Sequence, residues 1–121
     1  MKKILYTEDD KDIAEAVKII LTKAGFLIDI AYTGKECLEK SENGFDLYLL
    51  DIMLPDMSGW DIFMSLKEKG HKAKFSMISA IPVSSQRLNE LKKAGLSDYI
   101  MKPFTKEELI DKVKRILDNG F

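Results

Sequence analysis

Three observations predict an α/β domain, a doubly wound five-stranded parallel sheet with five helices. Short apolar runs alternate with segments of helical period along the chain, and a helix between successive strands favours parallel pairing through right-handed crossovers. The run Leu47-Tyr48-Leu49-Leu50 is apolar at every position, which fits a strand covered on both faces rather than one with a solvated side. Gly25, Gly70 and Gly95 fall where helical segments should stop.

Taken in order, Ile4 to Thr7 reads as the first strand, cut off by the charged Glu8-Asp9-Asp10. Ile13, Ala16, Val17, Ile20, Leu21 and Ala24 then recur at helical spacing, with Asp10 or Asp12 to cap the start and Gly25 to end the helix. Phe26 to Ala31 is the second strand. Thr33-Gly34 opens a helix through Leu38 towards Ser41, Asn43-Gly44 is a turn, and Phe45 to Asp51 is the third strand. Trp60, Phe63, Met64 and Leu66 mark a third helix, and Phe75 to Ser79 a fourth strand. Beyond Pro82, Leu88, Leu91 and Ala94 mark a helix, and Tyr99 to Met101 is a short last strand. Thr105-Lys106-Glu107-Glu108 is a capping box for the final helix, whose apolar stripe is Leu109, Val113, Ile116 and Leu117. In the 2-1-3-4-5 order common for this number of βα units, the first and third strands are neighbours.

The length fits one domain over residues 1–121 without a linker. A formal net charge of -1 gives no bulk attraction for nucleic acid. The single cysteine, Cys37, excludes an internal disulfide, fits a reducing cytoplasm and is expected to pack on a helix. The basic start Met1-Lys2-Lys3 meets acid at Glu8 too soon for a signal peptide, and no apolar run reaches membrane-spanning length.

Ligands of open α/β sheets bind outside the carboxyl ends of the strands. With the first and third strands adjacent, Glu8 and Asp9 meet Asp51 there. Three carboxylates at close range require raised pKa values or a cation, and an all-oxygen, water-accessible cluster suits Mg2+. The sequence has no His or Cys cluster for zinc, and the sole histidine, His71, is expected as a solvated loop residue. The remaining strand ends add a hydroxyl at Ser79, followed by Ala80, and a cation at Lys102. A carboxylate nucleophile, a metal, a hydroxyl and a lysine are the parts that phosphoryl transfer needs, because positioning and charge neutralisation do most of that catalysis.

With Glu8-Asp9, Asp51-x-x-x-Pro55-x-x-x-Gly59, Ser79-Ala80 and Lys102-Pro103-Phe104 in this order, the chain resembles the receiver domain of two-component response regulators, chemotaxis-regulator-like, over essentially its full length. The resemblance implies a flavodoxin-like fold and a phosphoacceptor switch. Asp51 would take a phosphoryl group from a phosphohistidine on a sensor histidine kinase or phosphotransfer protein. Asp9 would hold Mg2+ directly and Glu8 through water, with the Met53 backbone carbonyl adding an oxygen. Lys102 would pair with the phosphoryl group and Ser79 would move to bond it. Pro103 would follow a cis peptide bond that aims Lys102. Tyr99 matches the aromatic that swings inward as Ser79 moves, switching the surface of the fourth helix, last strand and last helix towards an output domain, a partner protein or a second copy. The charged residues of the last helix, from Lys106 to Arg115, form a solvated face that could also pair between two copies.

Two departures from the family pattern bear on function. Ser79 and Lys102 lie 23 positions apart, one more than the commonest family spacing, which places an extra residue around Ile81-Pro82-Val83. The positions two past Asp51 and two past Ser79 are Met53 and Ile81, neither of which can hydrogen-bond an attacking water, so slow self-dephosphorylation is expected. Met53 also stands where aspartate-nucleophile phosphohydrolases commonly carry a second acid, so no turnover of an external small molecule is expected. A constitutive interaction module would not need Glu8, Asp9, Asp51, Ser79 and Lys102 together. A flavodoxin-type cofactor binder would need a Gly- or Ser/Thr-rich loop after the first strand, where this chain is acidic. The ending Asn119-Gly120-Phe121 fits a free-standing domain or a piece of a longer regulator.

Overall fold

Side chains alternate across a strand, so a strand buried on both sides needs apolar residues at consecutive positions. The third strand shows this directly: Tyr48 and Leu50 pack into one apolar layer with Leu5, Phe63, Phe75 and Met77, while Leu47 and Leu49 pack into the other with Ile4, Val17, Ile78 and Val113. The computed structural model describes residues 1–118. Asn119, Gly120 and Phe121, read in the sequence as the end of the chain after the last helix, lie outside the described residues.

The elements are β1 (Lys3–Thr7), α1 (Lys11–Lys23), β2 (Leu27–Ala31), α2 (Gly34–Lys40), a 3-10 turn (Ser41–Asn43), β3 (Leu47–Leu50), α3 (Gly59–Glu68), β4 (Lys74–Ser79), α4 (Ser85–Lys93), β5 (Asp98–Met101) and α5 (Lys106–Asp118). The strands form one parallel sheet in the order β2-β1-β3-β4-β5. The expected fold is therefore observed, with strand ends adjusted by a residue or two because pairing, not apolarity, sets them. Phe26 precedes β2, and Phe45 precedes β3 with its ring edge-on to Tyr48 at 5.6 Å.

The helix ends follow local chemistry. Asp10, rather than Asp12, caps α1, accepting from the amides of Asp12 and Ile13. Ser58 caps α3 in a reciprocal box with Asp61, and Thr105 and Glu108 exchange the expected pair of bonds at α5. Gly25, Gly70 and Gly95 all have positive φ just past helix ends. Three helical faces differ from expectation. On α1 the buried line is Ala14, Val17 and Leu21, leaving Ile13 and Ala16 exposed. On α3 it is Ile62, Phe63 and Leu66, with Met64 exposed. On α4 only Leu91 is buried, with Leu88 half-buried and Ala94 exposed. Each stripe follows the side of the helix that meets the sheet, and spacing alone admits two neighbouring stripes.

Cys37 lies buried on α2, and burial pushes its thiol pKa up to about 11. His71 corrects the sequence reading: it is half-buried, its ring edge-on to Tyr48 at 6.3 Å, because the turn after α3 folds back on the sheet. The solvated face of α5 holds Asp111 and Arg115, paired at 2.5 Å, whereas Lys112 leaves it to donate to the Tyr99 carbonyl at 3.3 Å. Among the described residues no helix is long and apolar enough to cross a membrane.

Candidate functional site

Four strand ends set the site. The amide of Asp51 donates to the Thr7 carbonyl at 3.2 Å, carrying the β1–β3 pairing one residue further. The amide of Glu8 donates to the Ala31 carbonyl at 2.9 Å, and that of Lys102 to the Ser79 carbonyl at 2.9 Å. The sheet thus places Glu8, Asp51, Ser79 and Lys102 side by side at its carboxyl edge. The peptide between Lys102 and Pro103 is cis, as the sequence reading expected.

The carboxylates converge. Glu8, Asp9 and Asp51 each present an oxygen within 4.8 Å of the others, with Glu8 and Asp51 buried and Asp9 exposed. The Lys102 ammonium lies between two of them, 2.5 Å from Glu8 Oε1 and 3.0 Å from Asp51 Oδ2. Burial alone would lower the Lys102 pKa, but the Glu8 and Asp51 contacts outweigh it and the net direction is up. Glu8 is otherwise occupied: Oε1 accepts from the Tyr6 hydroxyl at 3.1 Å and Oε2 from the Asp10 amide at 3.3 Å. Burial, then the Glu8 charge, drive the Tyr6 hydroxyl pKa upward, so Tyr6 stays a donor. Asp51 Oδ1 accepts from the Met53 amide at 3.1 Å. Asp9 makes no such contact among the described residues, which leaves it the most available of the three.

The donor set fits a hard divalent cation: all oxygen, three carboxylates against one ammonium, and an open side at Asp9. No soft or imidazole ligand takes part.

Ser79 and Tyr99 hold one residue, Ile81, by its two backbone polar groups. The Ser79 hydroxyl accepts from the Ile81 amide at 3.2 Å, and the Tyr99 hydroxyl donates to the Ile81 carbonyl. Tyr99 is already inward in this structure, with its ring 6.4 Å from Trp60. Burial is the largest cause of the rise in its pKa. The segment Ile81-Pro82-Val83, where the sequence reading expected an extra residue, is attached at Ile81 to both Ser79 and Tyr99, while Pro82 is exposed and Val83 half-buried. The Met53 side chain points to solvent, 70% exposed, leaving its backbone facing Asp51.

Sequence reasoning missed Tyr6 and Asp56. Tyr6 was legible, since residues two apart share a strand face and Tyr6 stands two before Glu8. Asp56 bonds α2, with nothing in its local sequence to say so.

This βα order with an acid-and-lysine edge matches the family described as response regulator receiver domain over residues 4–114. The transcriptional regulatory protein CusR of Escherichia coli is 36% identical over 119 residues, covering 98% of this chain and 52% of that protein. A CheY-like receiver domain protein of Methanospirillum hungatei superposes with a TM-score of 0.88 at 36% identity, covering 98% of this chain and 95% of that one. The response regulator TrrA of Thermotoga maritima, solved in complex with Mg(2+)-BeF, gives a TM-score of 0.82 at 35% identity over 97% of this chain and 100% of that one. The chain belongs to the receiver domains of two-component response regulators. It spans about half the length of the curated relatives it matches.

Proposed function

We propose that the chain is a phosphorylation-controlled switch in which Asp51 accepts the phosphoryl group. The observation that carries this reading is the Lys102 ammonium shared between Asp51 and Glu8, with Asp9 beside them on the open side. It supplies a nucleophile, a charge neutraliser and a cation-binding set at one point, the requirements of phosphoryl transfer.

Asp51, Asp9 and the Met53 carbonyl would hold Mg2+, with Glu8 acting through water because its oxygens are largely taken. Bound there, the cation would neutralise charge on the phosphoryl oxygens. An Asp51 carboxylate oxygen forms a bond to phosphorus as the bond from phosphorus to the donor nitrogen breaks, and the departing imidazole keeps that electron pair and is protonated by solvent. Lys102 exchanges its bond to Asp51 for one to a phosphoryl oxygen. The Ser79 hydroxyl turns towards the phosphoryl group and draws the Ile81 peptide and Tyr99 with it, repacking α4, β5 and α5. Tyr99, Pro103 and Ser79 are the switch residues in this reading.

The donor is a sensor histidine kinase or a phosphotransfer protein in the cytoplasm, and the receiver of the signal an output domain, a partner protein or a second copy docked on α4-β5-α5. The description of CusR as a transcriptional regulator supports an output in gene control. The domain itself is assigned no nucleic acid, no membrane and no turnover of an external small molecule, the thioether side chain of Met53 offering no second acid beside Asp51.

The test is to expose the protein to acetyl phosphate with Mg2+, reduce it with borohydride, which converts an aspartyl phosphate to homoserine, and map the product. Homoserine at position 51 is expected. Reduction elsewhere, or none while a control receiver is labelled, would overturn the reading.

A further inference from the structure

The segment after β3 is an excursion closed at its base and tied down at its tip. At the base, Met53 and Ser58 form an antiparallel bridge and the Gly59 amide donates to the Ile52 carbonyl at 3.0 Å. At the tip, Asp56 Oδ1 accepts from the Gly34 amide at 2.8 Å and Oδ2 from the Lys35 amide at 2.9 Å. These amides open α2 and belong to the donors that a helix start leaves without intrahelical partners. Thr33 satisfies only the Glu36 amide there, at 3.1 Å, so the cap is completed from a different element. Donation from Gly34, then from Lys35, holds the Asp56 carboxyl below the usual carboxylate range.

Met57 seals the same contact. A Cβ at Gly34 would lie 2.3 Å from Met57 Cγ and 3.3 Å from Asp56 Oδ1, so the loop is seated directly on glycine backbone. Leu54 and Met57 also pack on the core, but apolar contact is non-directional. The two Asp56 bonds are directional and charge-assisted. Among the described residues they are the side-chain hydrogen bonds that join residues 52–57 to another element. The base of this excursion carries the Met53 amide, which holds Asp51 Oδ1.

We propose that Asp56 is a positioning residue for phosphoryl acceptance: by tying the loop tip to the start of α2 it fixes the Met53 backbone, and through it the carboxylate of Asp51. This rests on the reading of Asp51 as acceptor. Both oxygens are used, on adjacent amides, so Asn would keep one bond and Ala neither.

The test compares Asp56→Ala and Asp56→Asn with Thr33→Ala, which weakens the same helix start without touching the loop. Each is measured for Tm, for Mg2+ affinity by calorimetry without a phosphodonor, for hydrogen exchange of the Met53 amide, and for labelling rate by acetyl phosphate at saturating Mg2+. Asp56→Ala is expected to weaken Mg2+ binding and slow labelling by on the order of tenfold, as loss of a supporting contact does, and to speed Met53 exchange. Asp56→Asn should fall between, and Thr33→Ala should lower Tm while leaving the other three readouts as in wild type. Wild-type values for Asp56→Ala, or equal losses in Thr33→Ala, would overturn the proposal. Absence of labelling in wild type itself would sink the acceptor reading instead, and Mg2+ affinity with Met53 exchange would still decide whether Asp56 positions the cluster.

Discussion

Lys102 is held by Glu8 and Asp51 together, so its removal leaves three carboxylates within 4.8 Å without their ammonium. Lys102→Ala is therefore expected to lower Tm, and Mg2+ should raise the Tm of the variant by more than it raises that of wild type, because the cation replaces the missing charge. Equal Mg2+ shifts would contradict this. The pH dependence follows from the raised pKa of Lys102, whose ordinary value is 10.5. A group with a raised folded pKa contributes stability that is fully present below its unfolded pKa and lost as pH rises through the folded one. The stability difference between wild type and Lys102→Ala should thus stay flat near neutrality and shrink only above the ordinary lysine range, as urea unfolding across pH would show. The Met53 thioether is only a weak acceptor and the Ile81 side chain a hydrocarbon, so neither orients an attacking water strongly, and the aspartyl phosphate should persist for minutes or longer by time-resolved intact mass; decay within seconds would contradict it. Which residues form the cluster was legible in the sequence, because each follows its strand directly. How they bond was not: Tyr6 on Glu8 and Lys102 on both acids depend on side-chain reach across neighbouring strands.

Two glycines separate backbone crowding from side-chain crowding. A Cβ at Gly59 would lie 2.3 Å from the Asp51 carbonyl oxygen and 3.2 Å from Ile52 Cα, all backbone. At Gly34 the nearest atoms belong to the Met57 side chain, which can rotate away. Gly59→Ala is expected to cost about 2 kcal/mol or more in urea unfolding, in the range of overpacked sites, and Gly34→Ala clearly less; the reverse order would show that the strand end yields and the Met57 contact does not. Element types and most helix stops were legible because caps and glycines are local signals. The choice of buried stripe on α1, α3 and α4 was not, since Ile13 and Met64 sit at helical spacing yet face away from the sheet. Asp56 was illegible for the same reason at longer range, its partners lying 21 and 22 residues earlier.

At the scale of the molecule, the acidic cluster and a basic cavity lie at opposite ends of the sheet. A cavity of about 630 Å³ opens where β4 and β5 begin, lined by Lys67, Lys72, Lys74, Lys92 and Arg115 with Asp98. Lys67, Lys92 and Arg115 lie in the last turns of α3, α4 and α5, where cations complement helix C-termini. The carboxyl end instead gathers Glu8, Asp9 and Asp51, and the parallel topology puts all four functional strand ends there together. That polarity was legible from the alternation of strands and helices alone. The central proposal is that Asp51 accepts the phosphoryl group and that the acidic edge, where Glu8, Asp9 and Asp51 converge, works with a divalent cation. The most direct measurement is intact mass after treatment with acetyl phosphate, for wild type and Asp51→Asn, with Mg2+ and with EDTA. One added phosphoryl mass in wild type with Mg2+, lost with EDTA and in Asp51→Asn, is the expected result; undiminished labelling of Asp51→Asn would contradict the account.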